Sequence, residues 1–221
     1  VDLLLFIRNY EYKKFDGISI INSDISDGNL ETLVKTTSDI KKYYQKKLNI
    51  PYNQTVSYIN TRPISRKNEW MFVSFPSIVI IGNNRDNLDG FFDSELNSFK
   101  DSSDIIYLAH ELGHFFFGNL IVPRGKYKWF FLEGVTEYLS LKFIKEKVSD
   151  TIYLNLLESK LNKISNFSPV ALNKISNTNQ INEVYRYDYI PLLLEAIESE
   201  IGQEEMWNWL KYTLSKEFEI L

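Results

Sequence analysis

The chain has no cysteine among its 221 residues. That excludes disulfides, thiolate metal sites and a cysteine nucleophile, so any metal must be held by His, Asp or Glu. The absence fits a cytoplasmic and an extracellular setting equally. Histidine is scarce, with two residues in all. Long apolar runs are missing too: stretches such as Leu3–Ile7 and Ile78–Ile81 fall far short of the roughly 20 residues a membrane-spanning helix needs, so no span is expected. Basic blocks are also lacking. With Lys and Arg at 25, Asp and Glu at 29 and a formal charge of −4, the chain is a poor binder of phosphate backbones, and nucleic acid is not an expected partner. No signal peptide is visible. The opening residue is Val1 rather than Met, which reads as a fragment or a processed form.

Apolar residues make up 44% of the chain, enough for a substantial core. No repeat and no Gly/Ser- or Pro-rich linker interrupts it, so one continuous domain over 1–221 is expected, β-rich over 1–100 and helical over 101–221. Strands are predicted at Leu3–Ile7, Ile18–Ile21, Thr55–Ile59, Trp70–Val73 and Ser77–Ile81 from short apolar or alternating runs between turn residues. Leu30, Leu33, Val34, Ile40, Tyr43, Tyr44 and Leu48 recur at helical spacing, and Pro51 follows. A helix running through His114 is expected, with Ser102, Ser103 and Asp104 as candidate caps. Further helices are predicted at Trp129–Lys147, Ile152–Ile164, Tyr189–Glu200 and Glu204–Lys216, the last two divided by Gly202. Residues 166–179 read as irregular. Strands first and helices later indicate an α+β fold.

The chemistry concentrates in His110-Glu111-Leu112-Gly113-His114. Histidines four apart on a helix lie on one face, one turn apart, so both imidazoles can reach one ion. Glu111 sits about 100° round the helix from His110, placed to reach a water rather than the metal. Two histidines placed at random in a chain of this length fall four apart about 1% of the time, and a Glu directly after the first lowers that to roughly 0.07%. The plainer reading, two satisfied histidines on a core-facing helix, is accordingly the weaker one. A third ligand is offered by Glu133, in Trp129-Phe130-Phe131-Leu132-Glu133, where an unpaired carboxylate after four apolar residues would be costly. Its alternative is a solvated helix position. Glu137, one turn on, is placed either to hydrogen-bond the outer nitrogen of His110 or His114, or to face solvent. Two imidazoles and one carboxylate leave a fourth position open, the pattern of a catalytic site with one zinc ion.

These residues resemble the aminopeptidase N family of zinc metallopeptidases, the gluzincins. HELGHFFFGNL follows that family's HExxH-x-x-Phe-Gly-Asn, 18 residues separate His114 from Glu133 as in the family, and LEGVTEYLS is similar to its Asn-Glu-Gly-Phe-Ala-Glu-Tyr-Leu-Ser stretch, with Leu132 in place of Asn. Tyr187 stands fifteen residues before Gly202, the spacing of the family's catalytic Tyr, although Tyr189 and Ile190 replace its Lys and Gly and Tyr185 and Tyr189 lie close by. The resemblance covers roughly residues 40–215. It implies a thermolysin-like catalytic domain: a small N-terminal mixed β-sheet, then a mainly helical part carrying the zinc. The family's large N-terminal β-domain, apart from a last strand near Ile18–Ile21, and its C-terminal helical domain are expected to be absent.

The implied roles are His110, His114 and Glu133 as zinc ligands, Glu111 as the base and Tyr187 as an oxyanion donor, acting on a peptide or protein substrate. The family's Gly-Ala-Met-Glu-Asn loop, whose Glu binds a free amino terminus, has no counterpart; the corresponding region reads Phe72 to Val79, with Glu69 the nearest carboxylate. Peptide hydrolysis is therefore implied more firmly than aminopeptidase specificity. An endopeptidase and a zinc-binding module without catalysis are the alternatives, and no oligomeric state is assigned.

Overall fold

The computed structural model describes residues 12–21, 25–61, 72–75, 78–82, 88–93 and 95–215. The strand expected at Leu3–Ile7 lies outside them. Two compact units divide the chain, one formed by 1–35 and 53–100, the other by 36–52 and 101–221.

The first unit is built on a five-stranded mixed sheet in the order β1-β2-β3-β5-β4. β1 (Tyr12–Phe15) and β2 (Ile18–Ile21) form an antiparallel hairpin. Its Asp16-Gly17 turn puts Gly17 at φ 71°, a backbone glycine adopts without penalty. β2 pairs in parallel with β3 (Val56–Thr61), and β3 with β5 (Ile78–Gly82), while β4 (Phe72–Phe75) runs antiparallel to β5. Of the strand predicted at Trp70–Val73, Phe72 and Val73 lie in β4, and Trp70 and Met71 lie outside the described residues. Ile18, Ser19 and Ile20 are all buried, as befits a strand covered on both faces, and the Ser19 and Ser57 hydroxyls satisfy each other at 2.7 Å. A small hairpin, β6 (Phe92–Asp93) with β7 (Ser98–Phe99), completes this unit. It meets the start of helix α1 (Asp27–Leu48), where the Thr32 hydroxyl donates to the Asn97 carbonyl at 2.6 Å.

The second unit is helical. It contains the later turns of α1, then α2 (Ser102–Gly113), α3 (Thr136–Phe143), α4 (Asp150–Ile164), α5 (Ile190–Ile201) and α6 (Gln203–Ser215). The α2 cap is Asp101, not Ser102, Ser103 or Asp104. Asp101 is extended and its carboxylate accepts from the Ser103 amide at 2.8 Å, whereas Asp104 is buried inside the first turn. Ser149 caps α4 in the same way. Gly202, at φ 90°, ends α5 and lets α6 begin.

Two expected helices have a different interior. Trp129–Lys147 is not one uniform α-helix: Phe130–Val135 and Ile144–Val148 are wound as π-helix on either side of α3. The helix expected from Tyr189 is likewise preceded by a π segment, Tyr185–Tyr189. Pro191 gives a local reason, since it has no N–H to offer the preceding turn. The core between helices is aromatic. Tyr52 stacks on Phe115 at 4.0 Å, Tyr44 meets Phe116 edge-on, and the Tyr44 hydroxyl donates to the Ala109 carbonyl at 2.9 Å, on the turn that carries His110.

A second buried feature is ionic. Lys142, fully buried, donates to Glu195 and Glu198, while Tyr138 donates to Glu198 and Tyr153 to Glu195. This network ties α3 and α4 to α5. Among the described residues no helix is long and apolar enough to cross a membrane.

Candidate metal centre

α2 brings His110 and His114 onto one face, with ring centroids 4.8 Å apart and planes nearly perpendicular. The helix ends at Gly113, but His114 keeps helical backbone angles, so the one-turn spacing survives. Beyond it the chain curls tightly: the Asn119 amide donates to the His114 carbonyl at 3.0 Å. A Cβ at Gly118 would stand 2.8 Å from that carbonyl, so only glycine lets the turn close. The curl sets the Phe117 carbonyl 3.4 Å from His114 Nδ1.

Close approach of the helices supplies the carboxylates. Cβ atoms built at Gly113 and Gly134 would lie 2.9 Å from Thr136 Cγ2 and 2.5 Å from Ile190 Cγ2, so these two glycines let neighbouring segments come nearer than any side chain would. Glu133 lies in the π segment Phe130–Val135 and Tyr187 in the π segment Tyr185–Tyr189. Inserted π turns shift the face a residue presents by about one position, and they are frequent at functional sites. Glu133 Oε2 stands 3.3 Å from His110 Nε2 and 3.7 Å from His114 Nε2. Glu137 Oε2 lies on the other nitrogen of His110, Nδ1, at 2.8 Å.

The outer nitrogens of both imidazoles thus face acceptors, while both Nε2 atoms turn toward one carboxylate oxygen. Ligands arranged tetrahedrally about an ion at about 2.0–2.2 Å stand roughly 3.3–3.6 Å from one another. The observed separations lie close to that range, so His110, His114 and Glu133 could hold a zinc-sized ion with little movement. Glu111 adds a fourth donor, grouped with the two imidazoles within 4.8 Å. Both carboxylates therefore stand near the two imidazoles, Glu133 with one oxygen 3.3 and 3.7 Å from their Nε2 atoms and Glu111 within the 4.8 Å group.

The electrostatics favour a cation here. Burial opposes charging His110, but hydrogen bonds to Glu133 and Glu137 outweigh it and push its pKa up to about 10. Burial and the neighbouring His110 push His114 down to about 4. Burial would raise Glu133, yet His110, His114 and the Tyr187 hydroxyl hold it at about 2. Glu137 is likewise held at about 2 against burial, by Lys160 and His110.

Tyr187 donates its hydroxyl to Glu133 Oε2 at 3.0 Å, and its ring lies 6.0 Å from that of His110. Its two neighbours face elsewhere. Tyr185 donates to the Val170 carbonyl at 2.8 Å, and Tyr189 packs edge-on against Tyr185 and Phe167. The structure therefore brings His110, Glu111, His114, Glu133, Glu137 and Tyr187 together.

The sequence reading missed one member, Lys160. Its ammonium donates to Glu137 Oε1 and to the Tyr187 carbonyl, each at 2.6 Å. The available signal was a lysine standing on the apolar stripe of α4 with Tyr153, Leu156, Leu157 and Ile164. Most side chains of the Phe72–Ile81 region lie outside the described residues, and so does Glu69.

No family model matches the chain, and no curated protein matches it in sequence. Solved structures do. The M1 zinc metallopeptidase from Deinococcus radiodurans matches 89% of this chain at 14% identity with a TM-score of 0.56, and so does a point mutant of it. A two-domain M1 zinc metallopeptidase point mutant bound to L-tryptophan matches equally well at 13% identity. The fold is that of the M1 zinc metallopeptidases. The chain spans 40% of the length of each of these structures, and the likeness is one of fold.

Proposed function

We propose that this chain is a zinc-dependent peptidase in which His110, His114 and Glu133 hold one metal ion, Glu111 is the general base and Tyr187 is the oxyanion donor. The observation that carries the reading is the turning of both Nε2 atoms toward Glu133 Oε2 while Glu137 and the Phe117 carbonyl occupy the outer nitrogens. Histidine ligands need such outer partners to fix the tautomer. When bound, zinc supplies Lewis acidity toward a carbonyl and acidifies water.

The chain's own residues do the rest. The Glu111 carboxylate accepts a proton from the water that attacks the peptide carbonyl. The Tyr187 O–H, now bonded to Glu133, reorients to donate to the tetrahedral oxyanion. Burial and the Glu133 carboxylate push the Tyr187 pKa up, so it serves as a hydrogen-bond donor and keeps its proton. Glu111 then returns the proton to the amine as the C–N bond breaks. Glu137 stays out of the proton traffic, orienting His110.

The test is metal content and peptidase activity of the purified chain. One equivalent of zinc, with peptide cleavage abolished by a chelator and restored by zinc, is the expected result. Stoichiometric zinc without cleavage of any member of a peptide library would instead favour a zinc-binding module.

A further inference from the structure

We propose that Lys160 is a positioning residue that couples the metal-ligand side of this site to Tyr187, through two hydrogen bonds from one buried ammonium. The inference rests on the metallopeptidase reading above and adds a residue that reading does not use.

Lys160 is 6% exposed on the inner stripe of α4. A buried ammonium is costly unless it is paired, and a leucine or methionine would fill the same stripe without that cost. Packing therefore does not account for a lysine here; its partners do. The first is Glu137 Oε1 at 2.6 Å, while the other oxygen of that carboxylate holds His110 Nδ1 at 2.8 Å. Lys160 holds the Glu137 carboxylate in place, and so keeps the His110 ring turned with Nε2 toward Glu133.

The second partner is the carbonyl of Tyr187, also at 2.6 Å. In an α-helix that carbonyl would accept from the N–H four residues on, but residue 191 is proline and has none. The Lys160 ammonium takes the place of the missing donor. It holds the π turn from which the Tyr187 hydroxyl reaches Glu133 at 3.0 Å. One side chain thus fixes the orientation of a histidine and the backbone of the oxyanion donor together.

The test is zinc affinity, by chelator competition, of Lys160→Arg, Lys160→Gln and Lys160→Met, each first shown folded by far-UV circular dichroism. Wild type and Glu137→Gln are measured alongside. Lys160→Arg keeps a charged donor and stays near wild type. Lys160→Gln and Lys160→Met bind zinc roughly 10–100-fold more weakly, the usual effect of losing an outer partner of a ligand. Because Lys160 acts on the metal through Glu137, the double Lys160→Gln, Glu137→Gln variant binds zinc no more weakly than Glu137→Gln alone. At saturating zinc, Lys160→Gln turns peptide over more slowly than Glu137→Gln, since only the former frees the Tyr187 carbonyl.

The proposal is overturned by a folded Lys160→Gln chain with wild-type zinc affinity, by additive losses in the double variant, or by Arg and Gln variants that cannot be told apart. If Lys160→Met fails to fold, the difference between Arg and Gln decides alone. A wild-type chain that takes up no zinc sinks the metallopeptidase reading and this proposal with it. Wild-type zinc uptake with an unchanged Gln variant sinks the Lys160 proposal only.

Discussion

The Tyr187 hydroxyl donates to Glu133 Oε2 across 54 residues of sequence, from one π-helical segment to another. In Tyr187→Phe the ring stays and this donor goes. Turnover is expected to fall by about 10²–10³-fold, the cost of losing one oxyanion donor, with zinc content unchanged by elemental analysis. Tyr185→Phe is the control. It breaks the bond to the Val170 carbonyl and costs about 1 kcal/mol of stability, read as a lower Tm, while the rate per folded molecule holds. A rate loss in Tyr185→Phe and none in Tyr187→Phe would reverse the assignment.

Glu111 and Glu133 are both carboxylates near the imidazoles, and the proposed roles separate them by experiment. Glu111→Gln should keep a full equivalent of zinc and lose nearly all turnover. Glu133→Ala, and likewise His114→Ala, should lose zinc and turnover together. Zinc loss in Glu111→Gln with retention in Glu133→Ala would exchange their roles.

Much of this was legible in the sequence because it depends on local periodicity. The His110–His114 spacing, the helix through them, the strands before them and the turn at Gly202 all follow from patterns within one element, whereas the mixed pairing of those strands was implied only by the family resemblance. The α2 cap was misplaced by one residue because Asp101 and the two serines after it are equally good cap types, and only backbone angles separate them. The π turns were not legible. Hydrophobic spacing does not report one extra residue in a turn, and the donor missing at Pro191 bears only on Tyr185–Tyr189. Lys160 and Lys142 were passed over for a related reason: a lysine on an apolar face reads as a surface residue until its partners, distant in sequence, are placed around it.

Gly134 offers a test of packing independent of catalysis. A Cβ there would lie 2.5 Å from Ile190 Cγ2 and 2.8 Å from Ile190 Cβ, both on a branched and fully buried side chain with little room to retreat. Gly134→Ala should destabilise the folded chain by about 1–3 kcal/mol, the usual cost of overpacking. Chemical denaturation measures this as a lower midpoint at unchanged slope. Because Glu133 is the adjacent residue, zinc affinity should fall as well. Wild-type stability in this variant would mean that the two segments do not pack as closely as described.

The state of the carboxylates also bears on substrate. An aminopeptidase needs an anionic group free to bind the substrate's terminal ammonium. Glu133 is engaged by His110, His114 and Tyr187, and Glu137 by His110 and Lys160, so neither is available. Glu111 is the proposed base, so among the described carboxylates at the centre none is left to bind an ammonium. If the site works as an endopeptidase, acetylating the amino terminus of a peptide substrate leaves kcat/KM nearly unchanged, with cleavage at internal bonds visible by mass spectrometry. A charge-assisted hydrogen bond to the ammonium would be worth about 1.5–3 kcal/mol, so its loss on acetylation would lower kcat/KM by roughly 10–100-fold. A drop of that size, with single residues released from the free peptide, would show an aminopeptidase whose amine anchor lies elsewhere in the protein.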